Sequence, residues 1–127
     1  MKKQLDEVKD FHKKFQVYTQ HSPSANVPVN VRDGRISLMR EELDEVVGAM
    51  KEGKLSHIGK ELSDLLYGLL GTVQAYGLAG KFEDIFDEVH RSNMSKLDKD
   101  GKPILRDDGK VLKSDQFRPA DIDSILG

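Results

Sequence analysis

The sequence predicts an all-α fold: a four-helix bundle-type domain spanning 1–127, with a short C-terminal hairpin and a last helix. Three observations carry that expectation. Apolar residues recur at helical spacing through four separate segments. Only five Phe and three Tyr are present, with no Trp, which is thin material for a β-sandwich. Two prolines, two asparagines and two serines gather in HSPSANVPVN, between two periodic segments.

The first helix is expected over residues 3–20, with Leu5, Val8, Phe11, Phe15 and Tyr18 on one side. HSPSANVPVN then breaks the pattern, and the stretch from His21 to Arg35 reads as a loop able to serve as a lid. The second helix is expected from Ile36 to Lys51, ending at Gly53, with Ile36, Met39, Leu43, Val46, Val47 and Met50 as its main apolar face. Ser56 reads as the N-cap of a third helix over residues 57–78. A fourth covers residues 81–97. Asp108-Gly109, between Ile104-Leu105 and Val111-Leu112, predicts a hairpin turn. Pro119-Ala120-Asp121 can open a last short helix.

Composition removes several functions. There is no Cys, hence no disulfide and no thiolate metal site. A net charge of −2 argues against nucleic acid as a partner. No apolar run approaches the roughly 18 residues of a membrane span. The opening MKKQLDEVKD is too polar and acidic for a secretion signal, so a cytoplasmic protein is expected.

The charges are unevenly placed. Glu41 to Asp64 holds seven acids against three lysines, whereas Arg91 to Arg118 holds eight basic residues against five aspartates. A cation bridged to a polyanion would suit both segments; a solvated surface is the simpler alternative. Glu42 and Glu45 lie at i, i+3 in a stripe with Leu38 and Ala49. Glu61 and Asp64 repeat that spacing on the next helix, and their line continues through Gly68 and Gly71. Mid-helix glycine costs about 1 kcal/mol relative to alanine, so two in line imply close approach of a ligand or another helix backbone. Four facing carboxylates repel one another unless a cation sits between them. Hard oxygen donors suit Mg²⁺, with Mn²⁺ able to substitute.

Glu41-Glu42-Leu43-Asp44-Glu45, fifteen residues, then Glu61-Leu62-Ser63-Asp64 resembles the EExxE…ExxD signature of the all-α, MazG-like nucleoside triphosphate pyrophosphohydrolases. That superfamily includes dimeric dUTPases, dCTP pyrophosphatases and phosphoribosyl-ATP pyrophosphohydrolases. His90 to Lys96, Asp108 to Lys113 and Phe117 to Asp121 look like the dUTPase-type subgroup known from Deinococcus. The resemblance implies Glu42, Glu45, Glu61 and Asp64 as Mg²⁺ ligands, with Glu41 or Glu45 orienting the attacking water. It also implies a homodimer or tetramer whose sites draw on two chains.

In the fourth helix Asn93 and Lys96 fall within the stripe of Phe82, Ile85, Phe86, Val89 and Leu97, while Arg91 falls on the far side. A lysine in a buried stripe needs an anion or must snorkel to solvent. The resemblance favours Lys96 and Lys113 as phosphate contacts and Asn93 as a nucleotide contact. His12, between Val8 and Phe15, is either a satisfied core residue or part of a base pocket with Phe11 and Phe15. The reaction implied is Mg²⁺-dependent hydrolysis of a nucleoside triphosphate, such as dUTP or dCTP, to monophosphate and pyrophosphate. Hydrolysis of phosphoribosyl-ATP and a non-enzymatic helical interaction module are the alternatives. The wide apolar face of the third helix exceeds what four short helices can cover, which a second copy would resolve.

Overall fold

The computed structural model describes residues 1–127, and the fold is all-α, as expected. Five helices and one two-stranded hairpin form two compact units, residues 1–80 and 81–127. No helix is long and apolar enough to cross a membrane.

In the first unit, α1 (Lys2–Lys14) and α2 (Val29–Glu52) each pack on α3 (Leu55–Ala75). Leu5 and Val8 of α1 are buried, which contributes on the order of 1.5–3 kcal/mol each. α1 stops short of the expected residue 20. Gln16 takes a left-handed φ of +58°, and Tyr18 turns its carbonyl back to His12.

The expected loop from His21 to Arg35 is loop as far as Pro28, and Val29 to Arg35 are helical instead. Gln20 donates its backbone N–H to Gln74 O and its amide to Ala75 O, and Ser24 N–H bonds Tyr76 O. These bonds hold residues 20–24 along the C-terminal end of α3, unlike a free lid. Gly77, at φ +69°, is required there because a Cβ would run into the Ser22 carbonyl. After Pro28 the chain is already helical, seven residues earlier than expected. Gly34 disfavours that turn locally, but Arg35 ties it to α3 by bonds to Gly68 O and Thr72 Oγ1.

α2 and α3 form a hairpin through Gly53, which caps α2 in the left-handed region with its N–H on Ala49 O. Ser56 is not the cap of α3; Lys54 holds that position and α3 starts at Leu55. The apolar face expected for α2 is corrected. Val46 and Ala49 are buried, with Leu38 and Glu42 partly so, while Ile36, Leu43, Val47 and Met50 stay exposed. On α3, Leu62, Leu66 and Leu69 are likewise exposed.

The second unit holds α4 (Phe82–Met94), β1 (Ile104–Leu105), β2 (Val111–Leu112) and α5 (Ile122–Leu126). The strands pair antiparallel as Ile104↔Leu112 and Leu105↔Val111. Gly109 N–H bonds Arg106 O and Arg106 N–H bonds Lys110 O, with Gly109 at φ +87°, so the turn spans Asp107-Asp108-Gly109. α5 starts after Asp121, whose carboxylate caps the Ser124 N–H, rather than at Pro119.

The register expected for α4 is corrected. The helix ends at Met94, so Lys96 lies beyond it in a turn, partly exposed, and Asn93 is exposed. Ser92 is the buried residue of α4; its hydroxyl donates to Arg118 O at 2.8 Å. Arg91 does not point away from everything. It donates to Glu88 Oε1 at 2.6 Å and to Pro119 O at 3.1 Å.

Candidate functional site

The α2–α3 hairpin sets its acids against each other because its two helices run antiparallel from one short turn. One carboxylate oxygen from each of Glu42, Glu61 and Asp64 lies within 4.8 Å of the other two. Glu61 is only 5% exposed, which is rare for a carboxylate and costly without a cation partner. His57 Nε2 stands 3.3 Å from Glu61, and Lys60 Nζ reaches Glu61 at 3.4 Å and Asp64 at 2.7 Å. The contact with Asp64 raises the Lys60 pKa.

Glu42 makes no ion pair. Desolvation, followed by the charges of Asp64, Glu61 and Glu45, raises its pKa, and the Lys60 charge only partly opposes the rise. Three converging oxygens, one of them buried, with a charge held at a penalty, fit a hard divalent cation. Glu45 is exposed and outside the converging trio, although its charge reaches Glu42. Glu41 is exposed on the same helix.

The two glycines downstream of the acids are explained by close approach, though not of another backbone. A Cβ at Gly68 would sit 3.2 Å from Leu38 Cδ2 of α2. At Gly71 it would sit 2.5 Å from Arg35 Nη2 and 2.8 Å from His12 Nε2. Asp64 and Gly68 of the acid, acid, Gly, Gly line border a cleft of about 420 Å³. Glu42 and Asp64 line one part of it. Tyr67 and Gly68 follow one turn along α3, and Phe11, His12, Val17 and Arg35 complete the wall.

Aromatic rings border this cleft. Phe11 stacks on Phe15 with centroids 4.4 Å apart and meets Tyr67 edge-on at 5.5 Å. Phe15 itself is 68% exposed and ends α1. His12 is buried and also lines the cleft. It is a satisfied core residue, 3% exposed, with Nδ1 at 3.3 Å from Tyr18 O and 3.2 Å from Thr19 Oγ1. A carbonyl only accepts, so Nδ1 carries the proton. Burial, then the nearby Arg35 charge, lowers the His12 pKa against the opposing Tyr18 bond.

Sequence reasoning missed Arg35, Tyr67, Lys60 and His57. Arg35 was assigned to a loop, and Tyr67 sits on no apolar or acidic stripe. A signal was present for Lys60, which is four residues before Asp64, the spacing of a helical ion pair. In the second unit, Lys113 Nζ lies 4.6 Å over the Phe117 ring, and Ser114 Oγ donates to Leu97 O.

No curated protein matches this chain. The phosphoribosyl-ATP pyrophosphohydrolase family model matches residues 8–93, which include the converging carboxylates and the whole cleft and stop before Lys96 and Lys113. That match covers more than half of the sequence, and the chain therefore belongs to this family of pyrophosphohydrolases acting on nucleotide-type substrates.

Proposed function

We propose that the protein hydrolyses a nucleoside triphosphate, with a pyrimidine deoxynucleotide such as dUTP or dCTP as substrate, to the monophosphate and pyrophosphate. The observation that carries this reading is the cleft running from Glu42 and Asp64 to an aromatic wall at Phe11 and Tyr67. It offers hard oxygen donors where phosphates belong and ring faces where a base belongs. The dUTPase-type preference rests on the likeness of residues 90–96, 108–113 and 117–121 to that subgroup.

Glu42, Glu61 and Asp64, with Glu45 completing the set, would hold Mg²⁺. A bound divalent cation supplies charge for phosphate oxygens and lowers the pKa of a water. Glu41 or Glu45, exposed on α2, orients that water for in-line attack. Phe11 and Phe15 give the base a stacking surface, and His12 closes the cleft behind it. Lys96 and Lys113 neutralise the leaving pyrophosphate, and Asn93 contacts the nucleotide.

A homodimer is part of this reading. Leu43, Val47 and Met50 on α2, and Leu62, Leu66 and Leu69 on α3, form i, i+4, i+7 stripes that the chain itself leaves uncovered. A second copy would bury them and bring its own basic segment to the site.

Phosphoribosyl-ATP is the second substrate reading, favoured by the family match over residues 8–93. Pyrophosphate release with Mg²⁺ from dUTP, dCTP, dATP, dGTP and phosphoribosyl-ATP separates the two. Release from none of them would leave the helical interaction module as the remaining alternative.

A further inference from the structure

Arg35 has an unusual position for a cation. Its guanidinium reaches across from α2 to lie against α3, with Nε donating to Thr72 Oγ1 at 3.1 Å and Nη2 to Gly68 O at 2.6 Å. No carboxylate pairs with it, and burial lowers its pKa. Nη1 makes no hydrogen bond within the protein. No buried side-chain nitrogen lacks a partner, so Nη1 is open to solvent. Arg35 lines the cleft, and His12, held neutral by burial beside it, leaves the guanidinium as the one cation in the lining.

Position decides what such a donor can meet. Arg35 lies seven residues before Glu42 on one helix, about 10 Å along the axis. It is anchored at Gly68 and Thr72, one and two turns beyond Asp64 on α3. A nucleotide whose phosphates meet the carboxylates would bring its base, not its phosphates, to Arg35. With Nε–H and one Nη2–H committed, the guanidinium still offers both Nη1–H groups, on the side away from α3 backbone. Position, not donor number, assigns them to the base: phosphates held at the carboxylates leave the far end of the cleft to the base.

We propose that Arg35 is a specificity-determining residue whose Nη1 donates to a ring carbonyl oxygen of the base, selecting carbonyl-bearing bases over adenine. Uracil, thymine, cytosine and guanine carry such an oxygen. Adenine has none, and its N6 amino donor beside N7 would face the guanidinium. This inference rests on the nucleotide reading of the cleft and deepens it.

Gly71 belongs to the same device. Its missing Cβ is what lets the guanidinium and the His12 ring lie close over α3. Gly71→Ala displaces both without touching either residue, and the gain in helix propensity offsets part of the disturbance.

The test is calorimetric binding of dUMP, dCMP, dGMP, dAMP and phosphoribosyl-AMP in Mg²⁺ buffer, alongside pyrophosphate release from dUTP, dCTP, dGTP, dATP and phosphoribosyl-ATP. Wild-type protein should bind dUMP, dCMP and dGMP more tightly than dAMP. Arg35→Met should weaken those three by roughly 10- to 100-fold, the usual size of a charge-assisted bond, and change dAMP little. Gly71→Ala, with its melting curve as a check on folding, should shift the same ratio in the same direction. Equal wild-type affinity for dAMP and dUMP would overturn the proposal, as would an equal loss for all four deoxynucleotides in both variants. A loss confined to phosphoribosyl-AMP would also overturn it, by showing that the guanidinium takes a phosphate. Base-selective, Arg35-dependent binding without pyrophosphate release from any triphosphate would sink the hydrolase reading and support this one.

Discussion

Glu42 in the helical unit and Glu88 in the C-terminal unit carry the same side chain in opposite settings. Glu42 stands among Asp64, Glu61 and Glu45, and burial with those charges raises its pKa. Glu88 accepts two bonds from Arg91 and one from the Asp121 N–H, which pull its pKa down to about 2. A carboxylate whose charge is satisfied is structural: Glu88 fastens the chain before α5 to α4. One whose charge is left opposed is available to a ligand. The same contrast runs through the two units. The first buries Leu70, Val73 and Ala75 and spends its polar groups on a cleft. The second has Ser92 as its buried residue in α4 and is tied by side chains that bond backbone carbonyls.

The largest effect separating the two uses should come from charge removal at the site. Glu61→Gln, Asp64→Asn and Glu42→Gln should each lower turnover by more than about 100-fold, with helical circular dichroism retained. Glu45→Gln tests whether the exposed fourth acid belongs with them. A retained kcat in Glu61→Gln would exclude the buried carboxylate from the chemistry.

Next in size is stabilisation by metal. Mg²⁺ at 100 times its Kd should stabilise the wild type by about 2.7 kcal/mol, and Glu61→Gln should lose most of that gain. Thermal melts with and without Mg²⁺ measure it. Glu88→Gln, by contrast, should leave the Mg²⁺ response unchanged.

Glu88→Gln should instead loosen the second unit. Exchange of the Asp121 amide hydrogen should speed up by roughly tenfold, while that of α3 stays slow. The wild type should show the same loosening in acid. A folded pKa below the unfolded 4.5 contributes stability that is complete above 4.5 and is lost as pH falls towards about 2. An Asp121 amide equally protected at pH 2 and pH 6 would remove Glu88 from this role.

The smallest effect has the opposite sign. Glu42 has a raised folded pKa, so its charge disfavours the metal-free fold at neutral pH, and lowering the pH through that pKa relieves the penalty. Glu42→Gln without metal should therefore melt no lower than wild type, and up to about 2–4 °C higher. A clear drop would make the carboxylate a structural element like Glu88.

Much of this was legible in the residues themselves. Helical period, the Gly53 stop and the Asp-Gly hairpin are local, and the backbone obeys them with shifted ends. Two acid pairs at i, i+3 located the converging oxygens of Glu42, Glu61 and Asp64, because a tight hairpin between two helices leaves their register little freedom. Gly68 and Gly71, in line behind those acids, signalled the close approach that Leu38, Arg35 and His12 make to α3.

What tertiary structure alone decided is which side of each helix faces inward. Ile36, Leu43, Val47 and Met50 of the apolar stripe of α2 are exposed while Glu42 and Ala49 turn towards α3, since glycines on α3 admit Leu38 and Arg35 more closely than larger residues would. Hydrophobic period reports that a face exists, and a chain that leaves such a face uncovered defeats the inference that it packs internally. Arg35 was invisible for a related reason. Its turn of α2, with Gly34 beside it, has loop-like composition, and becomes helix because a guanidinium fifteen residues past the Gln20 anchor finds Gly68 and Thr72 on another helix. Such long-range bonds are absent from any local window, so sequence supplied the acids and the order of the helices, and packing supplied the cleft.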